Sequence, residues 1–214
     1  MAYQEWKEFD GKKVVASSQF SGKIFEFLPP AGNILDLGCG NGRISKLIQD
    51  EGYQVWGMDI NEDAITVAKN DPGLSGIEFS VQDATATNYM NNFFDGVVEQ
   101  AVLACMEKTD RIKTFKEAHR ILKTGGIFSI AEFGIKPNRE EKYEADALIA
   151  GEYGTMIVRK EDGSEWFRSH NFTREELNAL ISDAGFEVVN YMNPVFVTFN
   201  GNPHPGHQYL IRKV

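Results

Sequence analysis

The stretch that decides the fold is Asn33-Ile34-Leu35-Asp36-Leu37-Gly38-Cys39-Gly40-Asn41-Gly42-Arg43. Apolar residues surround one acid, and glycines follow at alternate positions. This pattern predicts a short buried strand that ends in a tight loop and opens a helix. Glycine adopts positive φ and lets the backbone approach a ligand closely, and the first turn of a helix leaves N–H groups without intrahelical partners. The segment is therefore a candidate ligand-binding loop.

Strands and helices are predicted to alternate along the rest of the chain. Helices are expected at about 42–51, 61–70, 110–123 and 173–184, and strands near 33–38, 53–59, 76–82, 94–99, 126–133, 186–192 and 207–213. Such alternation predicts a mostly parallel sheet with helices on both faces. Thr173-x-x-Glu176 has the form of a capping box at the start of the last helix. A further helix is expected over 12–28, and it ends at Pro29-Pro30.

The glycine spacing indicates a family. Arg43 stands where a dinucleotide fingerprint places its third glycine, so the loop departs from G-x-G-x-x-G. The form D-x-G-x-G-x-G instead resembles the first motif of class I S-adenosylmethionine (SAM)-dependent methyltransferases. Further matches follow in order: Asp59 ends a strand, Asp83 ends the next, and Thr124-Gly125-Gly126 lies between a helix and a strand. Over residues 30–135 the chain resembles the small-molecule group around ubiquinone and menaquinone biosynthesis enzymes.

The resemblance implies a doubly wound, Rossmann-like α/β fold. Its sheet would have seven strands, the last of them antiparallel, in a single methyltransferase domain over 1–214. The cofactor would be SAM and the product S-adenosylhomocysteine (SAH). The implied cofactor-binding residues are Asp36, Gly38, Cys39, Gly40, Gly42, Asp59, Ile60, Asp83, Ala84 and Gln100.

Three of these residues have defined expectations. In the family, the acid at the position of Asp59 accepts the ribose hydroxyls, and the acid at the position of Asp83 receives the adenine amino group. The adenine contact is the favoured role for Asp83, and the alternative is that it caps a turn, as acids in such positions often do. Asp36 could be a structural acceptor for the loop, a ligand contact, or both.

The catalytic residues are less defined. A base is needed only for an acceptor with an acidic proton, and the candidates are His170, Glu99, Glu132 and Tyr153. Many relatives carry His or Tyr just beyond the fourth strand, where this chain has Cys105, so the resemblance supplies no base. Neither Cys39 nor Cys105 stands beside a visible base, which disfavours covalent catalysis.

Two segments are expected to cover the substrate. Residues 136–171 interrupt the alternation after the fifth strand, at the edge where doubly wound folds bind ligands. Long segments of this kind are usually functional or disordered, and the aromatic residues and histidine at 166–170 favour order. We expect this insertion to form a substrate lid. The N-terminal residues 1–30 would form a helical cover, with Tyr3, Trp6 and Phe9 facing the lid across the cleft.

Composition narrows the acceptor. A net charge of −9 disfavours nucleic acid,, and Glu99-Gln100-Ala101-Val102 replaces the Asn/Asp-Pro-Pro-aromatic motif of nucleic-acid amino methyltransferases. We expect a small, apolar or aromatic acceptor. No metal is expected, because His204 and His207 fall short of the three or four ligands that a metal site needs.

The remaining features predict the setting of the protein and leave two alternatives. No apolar run approaches the ~20 residues of a membrane span, the polar start does not resemble a signal peptide, and two cysteines make no disulfide framework. We therefore expect a cytoplasmic protein. The alternatives are a non-catalytic binding protein with the SAM fold and a nucleotide-dependent oxidoreductase, which Arg43 disfavours.

Overall fold

A computed structural model describes residues 20–198 and 201–214. The strands are β1 (Asn33–Leu37), β2 (Gln54–Asp59), β3 (Glu78–Val81), β4 (Phe94–Gln100), β5 (Leu122–Phe133), β6 (Thr155–Arg159), β7 (Glu165–His170), β8 (Phe186–Met192), β9 (Val195–Val197) and β10 (Pro203–Lys213). The α-helices are α1 (Arg43–Asp50), α2 (Glu62–Asn70), α3 (Lys108–Ile121), α4 (Glu140–Ala150) and α5 (Arg174–Asp183). Short 3-10 helices lie at Gly22–Phe27, Pro72–Leu74 and Leu103–Cys105.

The main sheet has the strand order β3-β2-β1-β4-β5-β10-β8. The pairs from β3 to β5 are all parallel. Strand β10 is antiparallel to both of its neighbours, β5 and β8, so the one reversed strand lies inside the sheet. The short strand β9 adds to β10. The expected doubly wound α/β fold is confirmed, and its strand order reverses between β1 and β4.

That reversal places the candidate site. In open α/β sheets, ligands bind at the carboxyl ends of the strands where the order reverses. The glycine loop, residues 38–42, follows β1 directly. The turn after β4 consists of Val102 and the 3-10 helix Leu103–Cys105. Both segments therefore lie at the edge of the sheet where a ligand is expected.

The core lies on both faces of the sheet. Ile34 packs on one face with Ile44 and Ile48 of α1. Its neighbour Leu35 packs on the other face with Phe115 of α3 and with α5. Successive residues of a strand point to opposite faces, so β1 is buried on both sides.

Two local expectations need correction. In the described part of the predicted helix at 12–28, helical structure is limited to the 3-10 turn Gly22–Phe27, and residues 12–19 lie outside the described residues. The predicted turn at Thr124-Gly125-Gly126 is instead a bulge within β5, where the pairing with β4 jumps from Leu122 to Ile127.

The insertion 136–171 is folded. It contains α4 and the antiparallel hairpin β6–β7, which is a second, separate sheet. Gly151 ends α4 with a positive φ of 77°. Among the described helices, none combines the length and the apolar character needed to cross a bilayer.

Candidate active site

The glycine loop is fastened to the end of β2 by three hydrogen bonds. The N–H groups of Gly38 and Cys39 both donate to the carbonyl of Met58, at 2.7 and 2.9 Å. The N–H of Gly40 donates to Oδ2 of Asp59 at 2.8 Å. The loop after β1 and the acid that ends β2 are therefore fixed relative to each other.

Two glycines in this loop differ in what surrounds them. Gly38 has a φ of +72°, and a Cβ there would lie 2.3 Å from Cγ2 of Val102, so the turn after β4 packs directly against it. Gly40 has a φ of +54°, and a Cβ there would meet nothing within 4 Å. The open space beside Gly40 fits a molecule that lies against the backbone of the loop.

Asp36 connects β1 to α1. Its side chain is buried, and Oδ2 accepts a hydrogen bond from Oγ of Ser45 at 2.6 Å. Burial raises the pKa of Asp36 to about 6, although the hydrogen bonds from Ser45 oppose the shift. Gly42 caps the start of this helix in a left-handed conformation. Asp36 thus has the structural role that the sequence allowed for it.

Asp59 is held by the backbone around it. Oδ1 accepts the N–H of Asn61 at 2.9 Å, and Oδ2 accepts Gly40 as described. Burial raises the pKa of Asp59 despite these backbone donors. The N–H of Ile60 is a third backbone donor to this carboxylate. A carboxylate offers about four lone-pair sites, so Asp59 can accept at least one further hydrogen bond. The following residue, Ile60, is half-buried at the same edge.

Asp83 lies just beyond β3 and caps a turn. Its Oδ1 accepts both the N–H and the hydroxyl of Thr85, at 2.8 and 2.7 Å. The turn-capping alternative is therefore realised at this oxygen. Ala84 beside it is buried, and the adenine contact stays a prediction.

Glu99 and Glu132 end adjacent strands and are both completely buried, with 0% exposed surface. Glu99 accepts the N–H groups of Val102 and Ala131, and Glu132 accepts that of Ala104. These two of the four expected bases therefore offer no exposed atom to a methyl acceptor in this structure. Gln100, which follows Glu99, is 7% exposed.

The other two expected bases lie on the insertion. Tyr153 is 45% exposed, and its ring lies 5.8 Å from that of Tyr143. His170 is 1% exposed. Its Nδ1 contacts the hydroxyl of Thr155 and its Nε2 contacts Oε2 of Glu176, both at 2.9 Å. A base role for His170 would require one of these bonds to break.

Arg111, for which no role was expected from sequence, joins three segments of the chain. It is 2% exposed. Its guanidinium makes two hydrogen bonds of 2.9 Å to Glu152 and one of 3.1 Å to Glu176. Its Nε donates to the carbonyls of Leu103 and Met106. Arg111 thus connects the insertion, α5 and the turn after β4.

The same cluster contains ligand types that metals use. Ligand atoms of Glu152, His170 and Glu176 all lie within 4.8 Å of one another. The guanidinium of Arg111 already supplies a positive charge to both carboxylates. Burial acts to raise the pKa of Glu152, but the hydrogen bonds and charge of Arg111 outweigh it and lower that pKa. The cluster is an ion-pair network built around an arginine.

Both cysteines are free thiols. Burial raises the pKa of Cys105 well above its usual value, and nearby Glu132 adds to the shift. Burial likewise raises the pKa of Cys39. A neutral thiol is a poor nucleophile, which agrees with the expectation from sequence.

Comparisons with known proteins agree with this geometry. A family model described as a methyltransferase domain matches residues 35–130. A ubiquinone/menaquinone biosynthesis C-methyltransferase of Coxiella burnetii is 32% identical over 176 residues, which are 75% of this chain and 68% of that protein. A crystal structure of a SAM-dependent methyltransferase from Methanosarcina mazei has 32% identity and a TM-score of 0.85, covering 92% of this chain and 99% of that one.

The chain belongs to the class I SAM-dependent methyltransferases. It is an enzyme that uses SAM, and the two alternatives from sequence are not favoured. A putative methyltransferase of Bacillus subtilis is 36% identical over 107 residues, which are 47% of this chain and 42% of that protein. The chain therefore spans less than half of that relative.

Proposed function

We propose that this chain transfers the methyl group of SAM to a small, apolar or aromatic acceptor bound between the carboxyl edge of the sheet and the insertion. The observation that carries this proposal is the position of the hairpin. Strand β7 packs against the 3-10 helix Leu103–Cys105. Val102, the residue before it in the same turn, contacts the glycine loop. The insertion therefore lies on the same edge as the loop.

The insertion also has suitable surface chemistry. Its side chains Tyr153 and Trp166 are 45% and 42% exposed. Small-molecule pockets are mostly apolar or aromatic, with a few placed polar groups. The net charge of −9 is unfavourable for a phosphate backbone. These features support a small acceptor rather than a nucleic acid.

We propose that SAM lies along the glycine loop and that Asp59 accepts its ribose hydroxyls. The open space beside Gly40 and the spare lone pairs of Asp59 support this placement. SAM supplies a methyl group on a positively charged sulfonium. Asp36, Asp59, Glu99 and Glu132 gather at this edge, and burial raises the pKa of each of them. A cationic ligand suits such an edge, because it offsets the cost of the buried negative charge.

We propose that catalysis is mainly positioning. Holding two reactants in attack geometry can lower a barrier by ~7–11 kcal/mol. The loop and the turn after β4 would fix one reactant, and the insertion would fix the other and exclude water. Of the expected bases, Tyr153 is the exposed one. We assign His170 to the Arg111 network, where it positions the insertion.

A panel of acceptors tests the substrate class. Methyl transfer from labelled SAM would be measured to small phenols, hydroxylated quinones, amines, thiols and, at high salt, to tRNA and DNA. We expect product with one of the aromatic small molecules and none with nucleic acid. A variant Asp59→Ala controls for background transfer. Methylation of nucleic acid alone would overturn the proposed acceptor.

The expected N-terminal cover, with Tyr3, Trp6 and Phe9, falls on residues 1–19, which lie outside the described residues. We further propose that the insertion 136–171 covers the bound acceptor. Hydrogen exchange of these residues would be compared with and without SAH. We expect slower exchange at the hairpin β6–β7 when ligand is bound. Equal protection in both states would contradict a lid.

We also propose a cytoplasmic location. The two free cysteines support it, because thiols persist in reducing compartments.

A further inference from the structure

We propose that Glu99 and Glu132 share one proton, carried by Glu132, and that this pair holds the turn after β4 against the glycine loop in the geometry that binds SAM. Both residues are positioning residues, since neither has exposed surface with which to touch a ligand. The inference rests on the SAM site proposed above and is independent of the acceptor.

The two buried carboxyl groups cannot both carry a full charge. Glu99 and Glu132 are each 0% exposed, at the ends of the paired strands β4 and β5. Two carboxylates side by side in a dry interior cannot both be ionised cheaply. Burial raises the pKa of Glu99 to about 7. Burial and the neighbouring charge of Glu99 raise the pKa of Glu132 well above its usual value. One proton between them removes the repulsion.

The hydrogen-bond partners of the two carboxyl groups place that proton on Glu132. Both oxygens of Glu99 accept backbone N–H groups: Oε2 from Val102 at 3.1 Å and Oε1 from Ala131 at 3.2 Å. At Glu132, Oε1 accepts the N–H of Ala104 at 3.1 Å. Within 20–198 and 201–214, its buried Oε2 has no donor. A proton on this oxygen makes it the donor to Glu99 and satisfies the atom that otherwise lacks a partner.

The carboxyl pair is linked to the glycine loop through the turn after β4. The N–H groups of Val102 and Ala104 belong to the turn after β4, so the pair binds this turn at two points. The side chain of Val102 fills the space beside Gly38. The carboxyl pair, the turn and the glycine loop are thus in direct contact, one after the other. A change in the charge of the pair therefore shifts the turn after β4, and the turn shifts the glycine loop.

The neighbouring titratable groups do not replace the proton. Asp59 at the end of β2 adds negative charge, and Cys105 on the turn is a neutral thiol. From α3, Arg111 already pairs with two carboxylates. From β7, His170 contacts both of those carboxylates.

One further histidine faces the pair from β10. His207 lies opposite Glu132 in the pairing of β10 with β5. Its ring nitrogens contact the hydroxyl of Tyr191 and the carbonyl of Phe172. Burial lowers the pKa of His207, so it is neutral above pH 7. Loss of the shared proton therefore adds uncompensated negative charge.

The two conservative variants should behave differently. In Glu132→Gln, the amide oxygen still accepts Ala104 and the amide NH₂ replaces the proton toward Glu99. In Glu99→Gln, the amide NH₂ must face the N–H of either Val102 or Ala131. That N–H loses its acceptor, and two donors then oppose each other. The variants are matched in size, and each leaves one carboxyl group in the pair, so the difference between them reports the position of the proton.

The experiment is SAH binding by calorimetry from pH 6.5 to 9 for wild type, Glu132→Gln and Glu99→Gln. We expect wild-type affinity to fall as the pH rises, toward about tenfold per pH unit beyond the second ionisation of the pair. Glu132→Gln should bind as wild type at pH 6.5 and keep a flatter profile. Glu99→Gln should bind more weakly throughout. Titration of the amino group of SAH affects all three proteins alike.

Infrared spectroscopy supplies a second readout. At pH 8, above the pKa of Glu99, the wild type should keep a protonated carboxyl band that is largely absent from Glu132→Gln. Identical pH profiles in wild type and Glu132→Gln would overturn the inference, as would an equal loss in both variants. If Glu99→Gln does not fold, the comparison of wild type with Glu132→Gln still decides. Asp59→Ala could lose SAH binding while both variants of the pair bind SAH like the wild type at every pH. That result would support the SAM site and reject this inference alone.

Discussion

The two parts of the proposed site are built in different ways. The cofactor side is the glycine loop with the end of β2, and the acceptor side is the insertion with the Arg111 network. On the cofactor side, the glycine loop is fixed to β2 by backbone groups and by Asp59, over 19 residues of sequence from Gly40. On the acceptor side, Arg111 reaches Glu152 and Glu176, which are 41 and 65 residues away. The first side depends on backbone conformation in neighbouring strands, and the second depends on buried charge. The two should therefore fail in different ways when single residues are changed.

The largest effect is expected at the centre of the acceptor side. Arg111→Met removes the positive charge shared by Glu152 and Glu176 and leaves the carbonyls of Leu103 and Met106 without this donor. Breaking a buried ion pair by removing one partner costs about 3–5 kcal/mol. Chemical denaturation should show this loss of unfolding free energy.

Lys113→Met is the matched control for Arg111→Met on the same helix. Lys113 forms an exposed pair with Asp110, and its side chain is 59% exposed. We expect little or no change in stability, because exposed ion pairs contribute little. Equal losses in the two variants would show that the acceptor side does not depend on its buried network.

The next effect is expected in the glycine loop. Gly38→Ala combines a positive φ with a Cβ only 2.3 Å from Val102. Overpacking of this kind costs about 1–3 kcal/mol, and SAH affinity should fall because the loop must move. Gly163→Ala is the control, since Gly163 has a φ of +82° and open space around it. If both variants bind SAH equally well, the contact between the loop and the turn is not required.

The smallest effect is expected at a helix cap on the acceptor side. Thr173 accepts the N–H of Glu176 at 3.1 Å at the start of α5. Thr173→Ala should destabilise the protein by about 1 kcal/mol, and Thr173→Ser should have almost no effect. Thermal unfolding would measure both. A larger loss in Thr173→Ala than in Arg111→Met would reverse the order proposed here.

The loop and strand ends that form the proposed cofactor side could be predicted from sequence because their signals are short. Apolar runs, the glycine spacing and the acid at Asp59 lie within single strands and loops. The backbone geometry of the loop, from Gly38 to Gly42, follows from those residues. The fold was also predictable, because alternating strands and helices have few ways to pack.

The acceptor side could not be predicted in the same way. Arg111 lies in a helix with many charged residues, and arginine is rarely buried, so nothing local marks it. The expected capping box was half right. Thr173 does cap Glu176, but the side chain of Glu176 turns toward Arg111 and His170. Partners that are brought together only by the tertiary fold leave no pattern in the sequence.

The most direct test of the account is SAH binding to wild type, Asp59→Ala and Glu161→Ala by calorimetry at pH 7. Glu161 is an exposed acid between β6 and β7, so its variant matches the charge change away from the loop. We predict one SAH per chain, wild-type affinity in Glu161→Ala, and a loss in Asp59→Ala of about 1–3 kcal/mol, or roughly 5- to 150-fold, from unpaired polar groups. Unchanged affinity in Asp59→Ala would contradict the placement of the cofactor at the end of β2.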